Sequence, residues 1–330
     1  MGERSRDPDA GHGHRCHRDL TLEFPSGVPR VSKEQERREE PPVSLRALKQ
    51  PGPAAARRFE SVCTGLEEMD ITLEPGLSLN EAIARPLLAA GWTGGSVCFT
   101  DGWLAPFHFV MPAPAPDETH AAWYSQTHSP DGEALIEQAN ITFGFRDRGP
   151  FTHCHATWRT ADGVRGGGHI LPLETQVSRP ITARAFGSRT ARIAARPDAE
   201  TNFTLFTPES DAPAPESGRR LILARLRPNV EIGAALADVC RAHGVSRARV
   251  RGSLGSIIGA EFEDGPDLAD YATEFLILDG TVAPDETGDL RTRLKIAIVG
   301  LSGTLREGWL AQGRNPVCIT CEFALEVDAA

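Results

Sequence analysis

"PFTHCHATWRTADGVRGGGHILP", residues 150–172, decides how the chain is read. Two strand-like runs flank Ala161-Asp162-Gly163, a polar turn of the kind that closes a β-hairpin. Side chains alternate across a strand, so His153 and His155 share one face and Cys154 takes the other. The place of His169 depends on register. A three-residue loop ending in a left-handed Gly163 pairs Thr160 with Val164 and sets His169 opposite His155, on the same face. A two-residue loop sends His169 to the reverse face, unless a bulge within Gly166-Gly167-Gly168 brings it back. If the faces agree, three imidazoles converge. Three histidines with an open fourth position form a known catalytic zinc arrangement, and imidazole suits other first-row metals too. The competing reading is three structural or surface histidines on a polar sheet face.

Outward from the hairpin, two breaks in composition divide the 330 residues. Residues 1–56 are rich in charge, Pro and Gly, without helical or strand period, and read as a disordered tail. The tail contains "HGHRCH", a close-set group of potential metal ligands. "TPESDAPAPESGRR", residues 207–220, lacks large apolar residues and reads as a linker, taken as 208–218. Two folded regions result, 57–207 and 219–330. They resemble each other: with Leu73 set over Leu226, Pro75 meets Pro228, Ala82 meets Ala235, Gly91 meets Gly244, Val97 meets Val250 and Gly102 meets Gly255. Each region reads as a strand, a Pro-containing turn, an amphipathic helix (79–90 and 232–243), a glycine stop and then many strands. The expected fold class is α+β, two similar domains, each a mostly antiparallel sheet with one main helix.

The second region offers an internal comparison. With Ala156 aligned to Ala297, Leu294 stands where His153 is, Ile296 where His155 is, and Trp309 at His169. On this alignment the copy replaces every histidine with an apolar residue.

Bulk properties narrow the function classes. The net charge is −10, so the chain has no overall basic footprint for nucleic acid. Seven irregularly spaced cysteines fit reduced thiols and a cytoplasmic setting better than a disulfide framework. Cys318 and Cys321 lie in an apolar run that reads as a strand, where residues three apart face opposite ways, so joint ligation is not expected. No apolar run reaches the ~18 residues of a membrane span, and no Walker loop, nucleophile elbow or dinucleotide fingerprint is found.

His-x-His on a strand, an Asp-Gly turn and then Gly-Gly-His resembles the plants-and-prokaryotes-conserved (PPC) domain. "RPNVEIGAALADVCRAHGVSRARVRGSLGSIIGAEFED" and "TEFLILDGTV" in the second region are similar to that family's helix and strands. The resemblance covers most of 57–330 as two copies, with "MPAPAPDETHAAWYSQTHSPDGEA" as an insertion in the first. It implies a compact α+β domain assembled as a trimer, or here an intrachain pseudo-oligomer, and a metal, zinc, held by His153, His155 and His169. It also implies DNA as a partner, chiefly through the AT-hooks of plant members; the Arg-Gly-Arg-Pro core of an AT-hook is absent from this chain.

Outside the hairpin, Glu174 is a candidate fourth ligand or base and Asp162 a weaker base. His120 and Asp117 could serve the site if the insertion folds over it. Trp123 and Tyr124 could line a ligand pocket, and His108 and His128 read as loop residues. The leading expectation is a metal-binding oligomeric binding or regulatory module, with DNA as a candidate partner. A zinc-dependent enzyme acting on a small molecule is the alternative, and a purely structural trimer is the third reading.

Overall fold

The computed structural model describes residues 46–215 and 217–328; the "HGHRCH" group lies outside them. In chain order the elements begin with β1 (Phe59–Gly65), β2 (Glu67–Leu73), α1 (Leu79–Ala89), β3 (Gly94–Leu104), β4 (Phe109–Val110), β5 (Pro112–Ala113) and β6 (Trp123–Tyr124). Next come β7 (Ala134–Arg146), β8 (Gly149–Arg159), β9 (Arg165–Ile170), β10 (Ile181–Ser188), β11 (Arg192–Pro197) and β12 (Thr204–Glu209). The last are β13 (Arg220–Leu226), α2 (Ile232–Ala242), β14 (Ala248–Ile257), β15 (Thr273–Pro284), β16 (Leu290–Gly300), β17 (Leu305–Trp309) and β18 (Val317–Val327).

The helices start where side chains answer free backbone N–H groups. Ser78 accepts from the Glu81 N–H at the head of α1, and Glu231 accepts from the Ala234 N–H at the head of α2. Each helix is followed by a glycine with positive φ, Gly91 and Gly244. In α2 the expected stripe Ile232, Leu236, Val239 and Cys240 is buried against Leu294, Ile296 and Ile298 of β16. In α1, Leu79, Ile83 and Leu87 pack on Val97, Ile141 and Cys154.

These helices are short. Among the described residues strand accounts for 52% and helix for 8%, so the expected α+β class is corrected to a mainly antiparallel β fold. The helical periodicity is real, but each helix has only 11 residues and covers one face of one sheet. The longest strands exceed them, 13 residues in β7 and 12 in β15, and the sheets bury their second faces on each other.

One sheet has seven strands in the order β1-β13-β18-β14-β15-β16-β17. The other has nine, with the path β2-β10-β3-β7-β8-β9-β4 and β11 and β12 joined beside β7. The orders β13-β18-β14-β15-β16-β17 and β2-β10-β3-β7-β8-β9 match strand for strand. The chain passes from one sheet to the other at Leu66: β1 pairs with β13, and β2 pairs with β10. Residues 46–56 also lie along the body. Gln50 donates to the Cys318 carbonyl at 2.9 Å, and the Leu48 N–H donates to Asn229 at 2.8 Å.

The sheets meet through their helix-free faces. At the centre Asn140 of β7 donates to the Ile277 carbonyl of β15 at 2.9 Å and accepts from the Ser253 N–H at 3.4 Å. Close approach is enforced at Gly252, where a Cβ would stand 1.9 Å from the Ser96 hydroxyl. At one end of the seam Asp198 receives Arg225 at 2.9 Å and Arg227 at 2.8 Å. Burial pushes the Asp198 carboxyl up, but the Arg225 charge and hydrogen bonds from Arg225 and Thr201 outweigh it and hold the pKa down at about 2.

Replacing Asp198 with Ala leaves a buried guanidinium without its partner. Urea unfolding at neutral pH is expected to show a loss of about 3–5 kcal/mol. The Asp198 pKa is depressed in the folded state, so its contribution is complete above the ordinary carboxylate value near ~3.9 and is lost as pH falls toward 2. The wild type should therefore lose more stability than Asp198→Ala across that window; equal slopes would contradict the pairing.

Candidate metal centre

The β8–β9 hairpin closes through the three-residue loop. The Thr160 N–H donates to the Val164 carbonyl at 2.9 Å, and Gly163 has φ +86°. His155 then pairs with His169 across the ladder. Gly168 has φ +148°, and a Cβ there would come within 2.9 Å of the Val110 carbonyl oxygen. This glycine lets β9 lie against β4, where Val110 pairs with His169.

His153, His155 and His169 consequently share one face, with one ring nitrogen of each within 4.8 Å of the others. The Nε2 atoms of His153 and His155 are 3.1 Å apart. Tetrahedral ligands bound at about 2.0–2.1 Å stand roughly 3.3 Å from one another, so this spacing suits a shared cation. Cys154 faces the α1 core, where burial pushes its thiol up.

The rings point toward the opposite sheet, which supplies two acids. His153 Nδ1 lies 3.0 Å from Glu322 of β18, and His155 Nδ1 donates to the Phe275 carbonyl of β15 at 2.8 Å. Both contacts occupy Nδ1 and leave Nε2 for a ligand, the arrangement by which outer partners orient metal-binding histidines. Glu274 of β15 places Oε2 2.5 Å from His155 Nε2 and 4.0 Å from His169 Nδ1. Among the described residues three buried atoms here have no hydrogen-bond partner: His169 Nδ1, Glu274 Oε2 and Glu322 Oε2. The short Glu274–His155 contact is thus out of line for a hydrogen bond. Unanswered nitrogen and carboxylate atoms beside three clustered imidazoles fit a cation-binding donor set.

Charge in the cluster is uneven. Burial lowers His153, but Glu322, by charge and hydrogen bond, and then Glu274 outweigh it and raise its pKa. Burial, with the charges of His153 and His155, drives His169 well below the usual range, which keeps it neutral and fit to ligate. The Tyr124 ring stands 5.3 Å from that of His169.

The other expected residues fall elsewhere. Glu174 is exposed on the wall of an adjoining cavity of 510 Å³, and Asp162 is spent within the hairpin turn on Thr160. Asp117 closes its own turn onto Thr119, His108 bonds Ser129, and His128 stacks on Phe109. His120, Trp123 and Tyr124 do reach that cavity, which His153 and His169 also line. Cys318 and Cys321 are buried and bond different carbonyls, Tyr271 and Ser256.

The comparison with the second region needs correction. Leu294 and Ile296 face the α2 core, whereas His153 and His155 face away from the α1 core. The pair matching His155–His169 is Lys295–Trp309, so Lys295 stands at His155 and Arg293 at His153. The second region carries two cations and an indole there, with Arg293 4.6 Å from the Trp309 ring centre. A single-residue offset exchanges the faces of a strand.

Solved structures match parts of the chain. A plant- and prokaryote-conserved (PPC) protein from Pyrococcus horikoshii aligns with 47% of this chain and 96% of its own, at 14% identity and a TM-score of 0.35. A metal-containing protein from Archaeoglobus fulgidus aligns with 42% of this chain and 92% of its own, at 16% identity and a TM-score of 0.35. A protein from Bacteroides thetaiotaomicron, described as a proposed DNA-binding protein, aligns with 47% and 100%, at 13% identity and a TM-score of 0.33. No family model and no curated protein matches the sequence. Likenesses this low carry no weight for the site, which is read from its own geometry. Among the described residues no helix is long and apolar enough to cross a membrane.

Gly168→Ala is expected to cost about 1–3 kcal/mol in thermal or urea unfolding, because it forces a side chain into a left-handed backbone against Val110. Gly163→Asn should cost far less, since its Cβ meets open space and Asn tolerates this conformation. Equal costs would contradict the close β4–β9 approach.

Proposed function

We propose that this chain is a metal-binding module that holds one divalent ion, zinc, through His153, His155 and His169. The observation that carries the reading is the convergence of one ring nitrogen from each of His153, His155 and His169 within 4.8 Å, beside buried atoms that have no hydrogen-bond partner: His169 Nδ1, Glu274 Oε2 and Glu322 Oε2. Glu322 and the Phe275 carbonyl orient two of the rings. Regions 57–207 and 219–330 are read as two copies of one domain, with β1 lent to the second copy's sheet. The repeated strand order supports this, and the self-association expected between chains is read instead as an intrachain pairing of sheets.

Purified full-length protein should carry about one zinc per chain by elemental mass spectrometry. His153→Ala and His169→Ala, with circular dichroism unchanged, should lose it. Glu322→Gln should keep the fold and weaken zinc roughly 10–100-fold in a chelator competition. Full zinc content in both histidine variants would refute the site.

Glu274 favours a second reading, a zinc-dependent hydrolase. A bound zinc ion supplies Lewis acidity and a water of lowered pKa. Glu274, close to His155 and His169, is the carboxylate placed to take a proton. Zinc-loaded Glu274→Gln should retain metal and lose hydrolysis of an activated ester such as p-nitrophenyl acetate; turnover equal to wild type removes this reading.

A further inference from the structure

Beside the histidines lies the 510 Å³ cavity, a size that suits a small organic ligand. Its walls are aromatic: Trp123, Tyr124, Phe151, Phe203 and Phe206 all line it. Trp123 stacks on Phe203 with ring centres 5.4 Å apart. Trp123 and Tyr124 remain 39% and 37% exposed, large apolar surfaces that folding leaves in water. They sit on the two-residue strand β6, paired only with β5 and carried by the insertion the sequence points to. Neither that hairpin nor its aromatic pair is needed to close either sheet.

Charge narrows the ligand. Among the described residues Arg146 is the only Lys or Arg lining the cavity, against Glu174 and Glu322, and Glu274 stands behind the histidines. A divalent ion brings this set to neutrality. One carboxylate, held directly by the ion, leaves the set a single charge negative, and each further negative charge meets growing repulsion, which sets aside phosphates and nucleic acid as occupants.

We propose that this cavity binds a small aromatic monocarboxylate, its ring against Trp123 and Phe203 and its carboxylate at the histidine end. The proposal rests on the zinc reading above. The aromatic wall supplies affinity by apolar burial and stacking, and the metal supplies orientation. Trp123 is a binding residue in this account, and it has no part in holding the metal.

The test is calorimetric titration of full-length protein with 2-naphthoate, with zinc content measured on the same samples. Zinc-loaded protein should bind 2-naphthoate at least tenfold more tightly than acetate. Zinc-free protein should bind it at least tenfold more weakly. Trp123→Ala and Phe203→Ala should each weaken 2-naphthoate by about fivefold or more while zinc content and acetate binding stay unchanged. A zinc-loaded protein that prefers 2-naphthoate no more than acetate, or is indifferent to both aromatic variants, overturns the cavity proposal and leaves the metal reading intact. Equal binding with and without zinc overturns the placement of the carboxylate. Absence of zinc from loaded wild-type protein overturns both readings.

Discussion

Polar groups taken out of water must find partners, and the seam between the two sheets removes five together: His153, His155, His169, Glu274 and Glu322. Hydrogen bonds answer only some of them. Glu322 and the Phe275 carbonyl each take one ring nitrogen, while His169 Nδ1 and one oxygen of each glutamate stay unanswered. Two sheets with apolar inner faces would pack without this cost. The seam instead concentrates nitrogen ligands and negative charge where a divalent cation would satisfy both.

The two halves divide that work. The nine-stranded sheet contributes the imidazoles from one hairpin, held in register by a three-residue loop and a glycine pressed against β4. The seven-stranded sheet contributes the carboxylates from β15 and β18. Asn140, the neighbour of His155 on the adjacent strand, bonds across the seam to both β14 and β15. Register within one sheet and spacing between the sheets are therefore fixed next to the rings. The insertion then adds Trp123 and Tyr124 to an aromatic wall, so a hydrophobic cavity and a polar donor set share a boundary at His153 and His169.

Much of this was legible in the sequence because it depends on local periodicity. The alternation around His153 and His155, the Asp-Gly turn and the glycine run narrowed the hairpin to two registers, and the three-residue loop is the one that brings His169 into place. Helix positions followed from the stripe Ile232, Leu236, Val239, Cys240 and the glycine after it. The acids were not found, since they come from the other half of the chain and only sheet packing brings them in. A signal was present: Glu322 is a lone charge inside "VCITCEFAL", a run otherwise apolar or weakly polar, and Glu274 opens the buried stretch "EFLIL". Charges kept within buried strands call for a partner. Fold class was misjudged because two clear helical stripes drew more weight than their 11 residues each deserve, and the internal alignment failed because one residue of slip turns a strand over.

The most direct measurement is a crystal structure of the zinc-loaded protein with anomalous data collected on both sides of the zinc absorption edge. The account predicts one strong anomalous peak, about 2.0–2.1 Å from a nitrogen of each of His153, His155 and His169, on the side facing Glu274. A map with no peak among these three residues, with the rings still converging, would contradict it.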